Sequence, residues 1–168
     1  MVRIRTSNNI NKMSSLFGCP NSEMDGTTTD KVIGAFSGTK VKADDVVVRQ
    51  GEKATAFHVI DHGSYNFYIR EDDEPLSELG QLVDHVEESD YFGEYELIAN
   101  KSHTATVIAV TMGLVWSLDQ DSFKYVASLK MAMFADVIHA CPLLDDLNET
   151  EKRLLCTALV PVRSKTAT

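Results

Sequence analysis

A glycine followed by a carboxylate, then a histidine with a hydroxyl beside it, are set within sixteen residues of one another in F-G-E-Y-E-L-I-A-N-K-S-H-T-A-T-V, residues 92–107. Gly93, just after Phe92, lets the backbone come close to a ligand, and Glu94 offers a carboxylate that accepts hydrogen bonds from sugar hydroxyls. A short helix from about Tyr95 to Ala99 would aim free backbone N–H groups at an anion. The returning Ser102-His103-Thr104 brings a side-chain donor and further amides to the same place. These pieces describe a cradle for a ribose and a phosphate. Where an anion pocket most wants arginine, however, the chain has His103.

Such a cradle needs strands before and after it, and the flanking sequence supplies them. The runs Val46-Val47-Val48, Ala56 to Ile60, Tyr65 to Ile69, Thr104 to Val110 and Leu114 to Leu118 are β-branched or alternating. Turn residues part them at Gln50-Gly51, His62-Gly63 and Met112-Gly113. Short strands joined by tight turns predict an antiparallel sandwich or jelly roll. After Asp119 the period becomes helical: Phe123, Val126, Leu129, Met133 and Val137 share a face, ending at Cys141-Pro142. Asn148 and Glu151 then form a capping pair for another helix. Residues 1–30 are polar, with weak helical promise around Met13 to Phe17 and from Thr28 to Phe36.

Composition narrows the choice of partner. The 168 residues are 43% hydrophobic and 24% charged, as in an ordinary globular domain, and no apolar run reaches membrane-spanning length. The net charge of -9 argues against nucleic acid, which is bound through clustered Lys and Arg. Neither a membrane nor nucleic acid is an expected partner. With no leader-like apolar segment and three cysteines lacking metal or redox spacing (Cys19, Cys141, Cys156), the expected place is the cytoplasm. The acids from Glu71 through Asp84 to Asp90 read as a solvated loop. No nucleophile is paired with a base and no metal-ligand cluster or phosphate loop with lysine occurs, so an enzyme is not expected. His58, His62, His85 and His139 read as structural or surface residues, and Trp116 as core.

The chain also repeats itself weakly. Met24-Asp25-Gly26-Thr27 is echoed by Leu147-Asn148-Glu149-Thr150, and the same offset lays Val32, Ala35 and Phe36 on Leu155, Ala158 and Leu159. The blocks running from Val46 to Ile69, Tyr91 to Ile98, Thr104 to Val107 and Gly113 to Val126 resemble cyclic-nucleotide-binding domains, most of all those of cAMP-dependent protein kinase regulatory subunits. The resemblance implies an α+β, mainly β fold: an antiparallel jelly-roll β-barrel flanked by N- and C-terminal helices. It divides the chain into a flexible tail over 1–11, a binding domain with its helices over 12–142, and the opening helix of a second, truncated tandem domain over 143–168.

Carried onto this sequence, the resemblance makes Glu94 the contact to the ribose 2′-hydroxyl, helped by the Gly93 amide. Thr104 and Ala105 stand where two alanines follow the phosphate-binding arginine, the first giving its amide to the phosphate. His103 replaces that arginine, losing a permanent charge and a fork matched to phosphate. Glu96 replaces a small residue at the helix start, and two like charges there repel by about 1 to 4 kcal/mol unless Glu96 turns outward. Ser102 and Asp90 depart from the pattern as well. The implied function is a non-catalytic regulatory sensor that controls a protein kinase catalytic subunit and needs no cofactor. Its small-molecule ligand would be cAMP, cGMP or a purine nucleoside, held by Phe92, Gly93, Glu94, Glu96, His103, Thr104 and Ala105. The alternative is a degenerate domain that binds nothing and has a structural or protein-interaction role. The basic run Arg3-Ile4-Arg5-Thr6-Ser7 faintly resembles a kinase substrate or inhibitor site.

Overall fold

The structure, a computed structural model, describes residues 26–71, 79–144 and 146–158. The expected tail over 1–11, the helical stretch near Met13 and the basic run around Arg5 lie outside the described residues. The chain opens with α1 (Gly26–Ala35), then β1 (Ser37–Val41), β2 (Val46–Val48), β3 (Ala56–His62), β4 (Tyr65–Ile69), β5 (Gln81–Val86) and β6 (Tyr91–Phe92). There follow α2 (Glu94–Ala99), β7 (Thr106–Ala109), β8 (Gly113–Asp119), α3 (Gln120–His139), a 3-10 turn (Pro142–Leu144) and α4 (Glu149–Ala158).

The strands form two four-stranded antiparallel sheets, ordered β1-β8-β3-β6 and β2-β7-β4-β5. This corrects the expected jelly-roll barrel: the sheets face each other but do not close. Closure requires edge strands to hydrogen-bond across the gap. β6 is only two residues long, pairs with β3 through His58↔Phe92 and Val59↔Tyr91, and hands the chain at once to Gly93 and α2. It has no length left for a second ladder.

Two apolar clusters give the molecule three layers. Between the sheets lie Val41, Val48, Ile60, Tyr65, Phe92, Val107, Ala109 and Val115. On the outer face of the first sheet, Phe57, Val59, Trp116 and Leu118 pack against Val32 and Phe36, against Leu97 of α2, and against Phe123 and Val126 of α3. Covered on both faces, β3 and β8 are buried almost throughout, without clean alternation. Trp116 is core, as its setting predicted, and its indole N–H donates to Asp61 Oδ1 at 3.2 Å.

The helices begin where local chemistry says they should. Asp119 Oδ1 accepts the N–H groups of Asp121 and Ser122, so α3 starts at Gln120, directly after Asp119. Its first turns dock by stacking Phe123 on Phe57, ring centroids 5.0 Å apart. The side chains of Met133, Val137 and His139 lie outside the described set. At α4, Asn148 and Glu151 form the reciprocal capping pair, Glu151 N–H to Asn148 Oδ1 at 3.0 Å and Asn148 N–H to Glu151 Oε2 at 2.8 Å. The bounds of α1 and α4 recur at the same offset as the sequence repeat. No helix of the described residues is long and apolar enough to cross a membrane.

One further expectation is corrected. The acidic run read as a solvated loop contains β5, which pairs with β4 along Tyr65↔Val86, Phe67↔Asp84 and Tyr68↔Leu82. Its residues are mostly exposed because it is a sheet edge, so its sequence lacks the apolar alternation that marks a buried strand.

Candidate functional site

At the unclosed mouth between β5 and β6, α2 and the loop before β7 line a cavity of about 190 Å³. Phe92, Gly93, Glu94, Glu96, His103, Thr104 and Ala105 all line it, so the structure brings together every site residue expected from sequence. The opposite wall consists of Val48, Phe67, Val86 and Val107, with Asp84 from the edge strand.

Glycine at position 93 is required twice over. Its φ is +93°, and a Cβ there would sit 3.0 Å from the Ala56 carbonyl oxygen. The turn aims Glu94, first residue of α2, at the cavity. Phe92 fixes the approach, stacked on His58 at 4.8 Å and edge-on to Phe67 at 5.3 Å. Behind α2, fully buried Leu97 anchors the helix in the core, and Asn100 ends it with φ +54°. The Glu94 carboxyl is held above its ordinary range, first by burial. Its own backbone N–H pulls the other way, and the charge of Glu96 adds to the rise.

The other end of the cavity is arranged differently. Glu96 does not turn outward as repulsion from Glu94 had suggested; it is buried, 9% exposed. Its Oε1 accepts the Thr104 hydroxyl at 2.7 Å and the Thr104 backbone N–H at 3.3 Å. Two donors repay the desolvation of the carboxylate, and that outweighs a repulsion of a few kcal/mol. The amide that the resemblance assigned to a phosphate is therefore occupied by a side chain of the protein.

His103 gives this end no fixed charge. Its backbone is pinned by N–H donation to Glu52 O at 2.8 Å and acceptance from Gly51 N–H at 2.9 Å. The imidazole is buried, which lowers its pKa; Glu96 and then Glu52 oppose that fall without reversing it. Nearby His58, bonded through Nδ1 to Ser117 Oγ at 2.9 Å, is pushed down to about 4 by burial and then by His103. Both imidazoles are neutral at pH 7. Among the described residues the cavity is lined by three carboxylates, Asp84, Glu94 and Glu96, and by no lysine or arginine.

Comparison with known proteins fixes what scaffold holds this cavity. The model of the cyclic nucleotide-binding domain matches residues 39–128, more than half of the chain. The chain belongs to the cyclic nucleotide-binding domain family. The chain is similar to the regulatory subunits of cAMP-dependent protein kinase. A type II regulatory subunit of that kinase from Drosophila melanogaster is 30% identical over 135 residues, 78% of this chain. The chain spans about a third of that relative's length, 33%.

Three solved structures show the same fold. The cAMP-bound regulatory domain of Toxoplasma gondii cAMP-dependent protein kinase is 22% identical, with a TM-score of 0.65 over 95% of this chain and 61% of that one. The regulatory subunit of a cAMP-independent protein kinase A from Trypanosoma cruzi, bound to guanosine, is 22% identical, with a TM-score of 0.59 over 92% and 54%. Its Trypanosoma brucei counterpart, bound to cAMP in the A site, carries three substitutions: glutamate to alanine, then threonine to arginine seven residues on, then valine to alanine at the next residue. That structure is 23% identical, with a TM-score of 0.58 over 92% and 56%.

Sequence reasoning missed Asp84, Phe67 and Val86. They reach the cavity from β4 and β5, outside the segment from Phe92 to Ala105, and the pairing of β4 with β5 sets them side by side there.

Proposed function

We propose that this domain is the ligand-sensing module of a cytoplasmic kinase regulatory subunit, that its ligand is a purine nucleoside, and that binding controls a protein kinase catalytic subunit. The observation that carries the reading is the Glu96 to Thr104 contact. A buried carboxylate holds both donors of Thr104 where a phosphate would need them, and the neighbouring imidazole is neutral. A phosphate entering here would meet negative charge without a compensating cation. A ribose lacking phosphate meets only Glu94, which accepts hydroxyl hydrogen bonds.

The trypanosomal relatives support this choice. The three positions changed in the cAMP-bound Trypanosoma brucei variant have the spacing of Glu96, His103 and Thr104. Its first change removes a glutamate and its second adds an arginine. Control of a kinase would follow if ligand favours one arrangement of α2 against α3 and α4, and differential affinity for the two arrangements holds or releases the partner. The recurrence of the α1 bounds in α4 supports reading 143–168 as the start of a second tandem domain.

Calorimetric titration of the purified chain with guanosine, inosine, cAMP and cGMP tests the proposal. Heat is expected with the two nucleosides and none with the cyclic nucleotides. Silence with all four would leave a structural, non-binding domain.

A further inference from the structure

Asp84 is the one charged side chain on the wall opposite the sugar and phosphate residues. It lies two residues before Val86 on β5, so both side chains share a face of the sheet. Half-buried Val86 packs against the core between the sheets, so that face turns toward the cavity, with Asp84 exposed at its mouth. Across the ladder Asp84 is paired with Phe67, whose ring meets Phe92 edge-on at the cavity wall. Beside Asp84 on this face are Phe67 and Val86, apolar surfaces suited to the flat faces of a base. One carboxylate oxygen, Oδ1, accepts the His85 backbone N–H at 2.8 Å, which orients the group and leaves Oδ2 and the second lone pair of Oδ1 for a ligand.

We propose that Asp84 is the residue that selects the base, favouring purines that carry a hydrogen on N1. The inference rests on the nucleoside reading above and extends it from the sugar to the base. A carboxylate only accepts hydrogen bonds. Guanine offers two adjacent donors, N1–H and the 2-amino group, matching the two oxygens of a carboxylate. Hypoxanthine offers N1–H alone. Adenine places a lone pair at N1, which faces the carboxylate with like polarity. The preferred order is therefore guanosine, inosine, adenosine.

The test is calorimetric titration of the full chain and of Asp84→Ala and Asp84→Asn with the three nucleosides. Asp84 lies at an exposed sheet edge, so neither change removes core packing. One charge-assisted bond made or lost corresponds to a change of roughly tenfold or more in affinity. Wild type should bind guanosine about tenfold or more tighter than adenosine, with inosine between. Asp84→Ala should bring guanosine down to the adenosine level while leaving adenosine within about twofold. Asp84→Asn, which keeps one acceptor without the charge, should fall between. Equal binding of the three nucleosides by wild type, or an Asp84→Ala variant that keeps the wild-type ratio, overturns the role of Asp84 alone. No heat with any nucleoside overturns the nucleoside reading along with it.

Discussion

The two ends of the cavity are built from one continuous segment, yet they meet an incoming ligand in opposite conditions. At the sugar end, Gly93 delivers Glu94 to the cavity, where burial holds its carboxyl above the ordinary range and its own backbone N–H opposes the rise. At the phosphate end, Glu96 already holds both donors of Thr104, and His103 is buried and neutral. One end has unspent acceptor capacity and the other has its donors taken. A scaffold can thus keep its fold and half of a ligand site while exchanging the other half for an internal contact.

The sharpest way to break this comparison is at the sugar end. Glu94→Ala should weaken guanosine by roughly a thousandfold, two charge-assisted bonds at about 2 kcal/mol each, measured by calorimetry. Unchanged affinity would remove Glu94 from the site.

The neutral histidines set the next effect. His58 is held near pKa 4 when folded and returns to about 6.5 when unfolded, so only the unfolded chain takes up a proton between those values. Stability is complete above about pH 6.5 and falls as pH drops toward 4, by about 3 kcal/mol for this group. His103, lowered as well, acts in the same direction. Urea unfolding at pH 7.5 and pH 4 should therefore show a loss about 3 kcal/mol larger for wild type than for His58→Phe. Parallel losses would place the proton elsewhere.

At the phosphate end a gain is expected. The combination Glu96→Ala, His103→Arg and Thr104→Ala should raise cAMP affinity by about a hundredfold or more, since it removes a charge, adds a fork matched to phosphate and frees an amide. His103→Arg alone should do far less, because the new guanidinium would pair with Glu96. If the single change restores cAMP binding fully, Glu96 is not the obstacle.

The smallest effect isolates the internal contact. Thr104→Val deletes the 2.7 Å hydroxyl bond to Glu96 and should cost about 1 to 2 kcal/mol in thermal or urea unfolding. No change would mean that water serves Glu96 equally well.

How much of this was legible from sequence follows from where each residue's partners lie. β3, β7 and β8 announce themselves because central strands must be apolar and β-branched. β5 did not, since an edge strand can carry Asp84 and His85 in the open, and its acids resembled a loop. The seven residues expected at the site were readable because they lie within fourteen positions, Phe92 to Ala105, and one turn, one helix and one loop carry them all. Asp84 belongs to the same cavity only through the register of β5 on β4, a long-range pairing that no local pattern encodes. The inward turn of Glu96 was hidden for a similar reason. Its direction depends on Thr104, eight residues away, being placed within hydrogen-bond reach by the return of the chain. The closed barrel failed because two-residue β6 gives no warning in sequence of how little ladder it can support.

Guanosine and cGMP share a base and a sugar and differ by the cyclic phosphate, so the ratio of their affinities for the unmodified chain tests the central claim most directly. With Glu96 holding the Thr104 donors, guanosine should bind about a hundredfold or more tighter than cGMP. Equal affinities, or tighter binding of cGMP, would contradict the account and show that the phosphate end still accepts its anion.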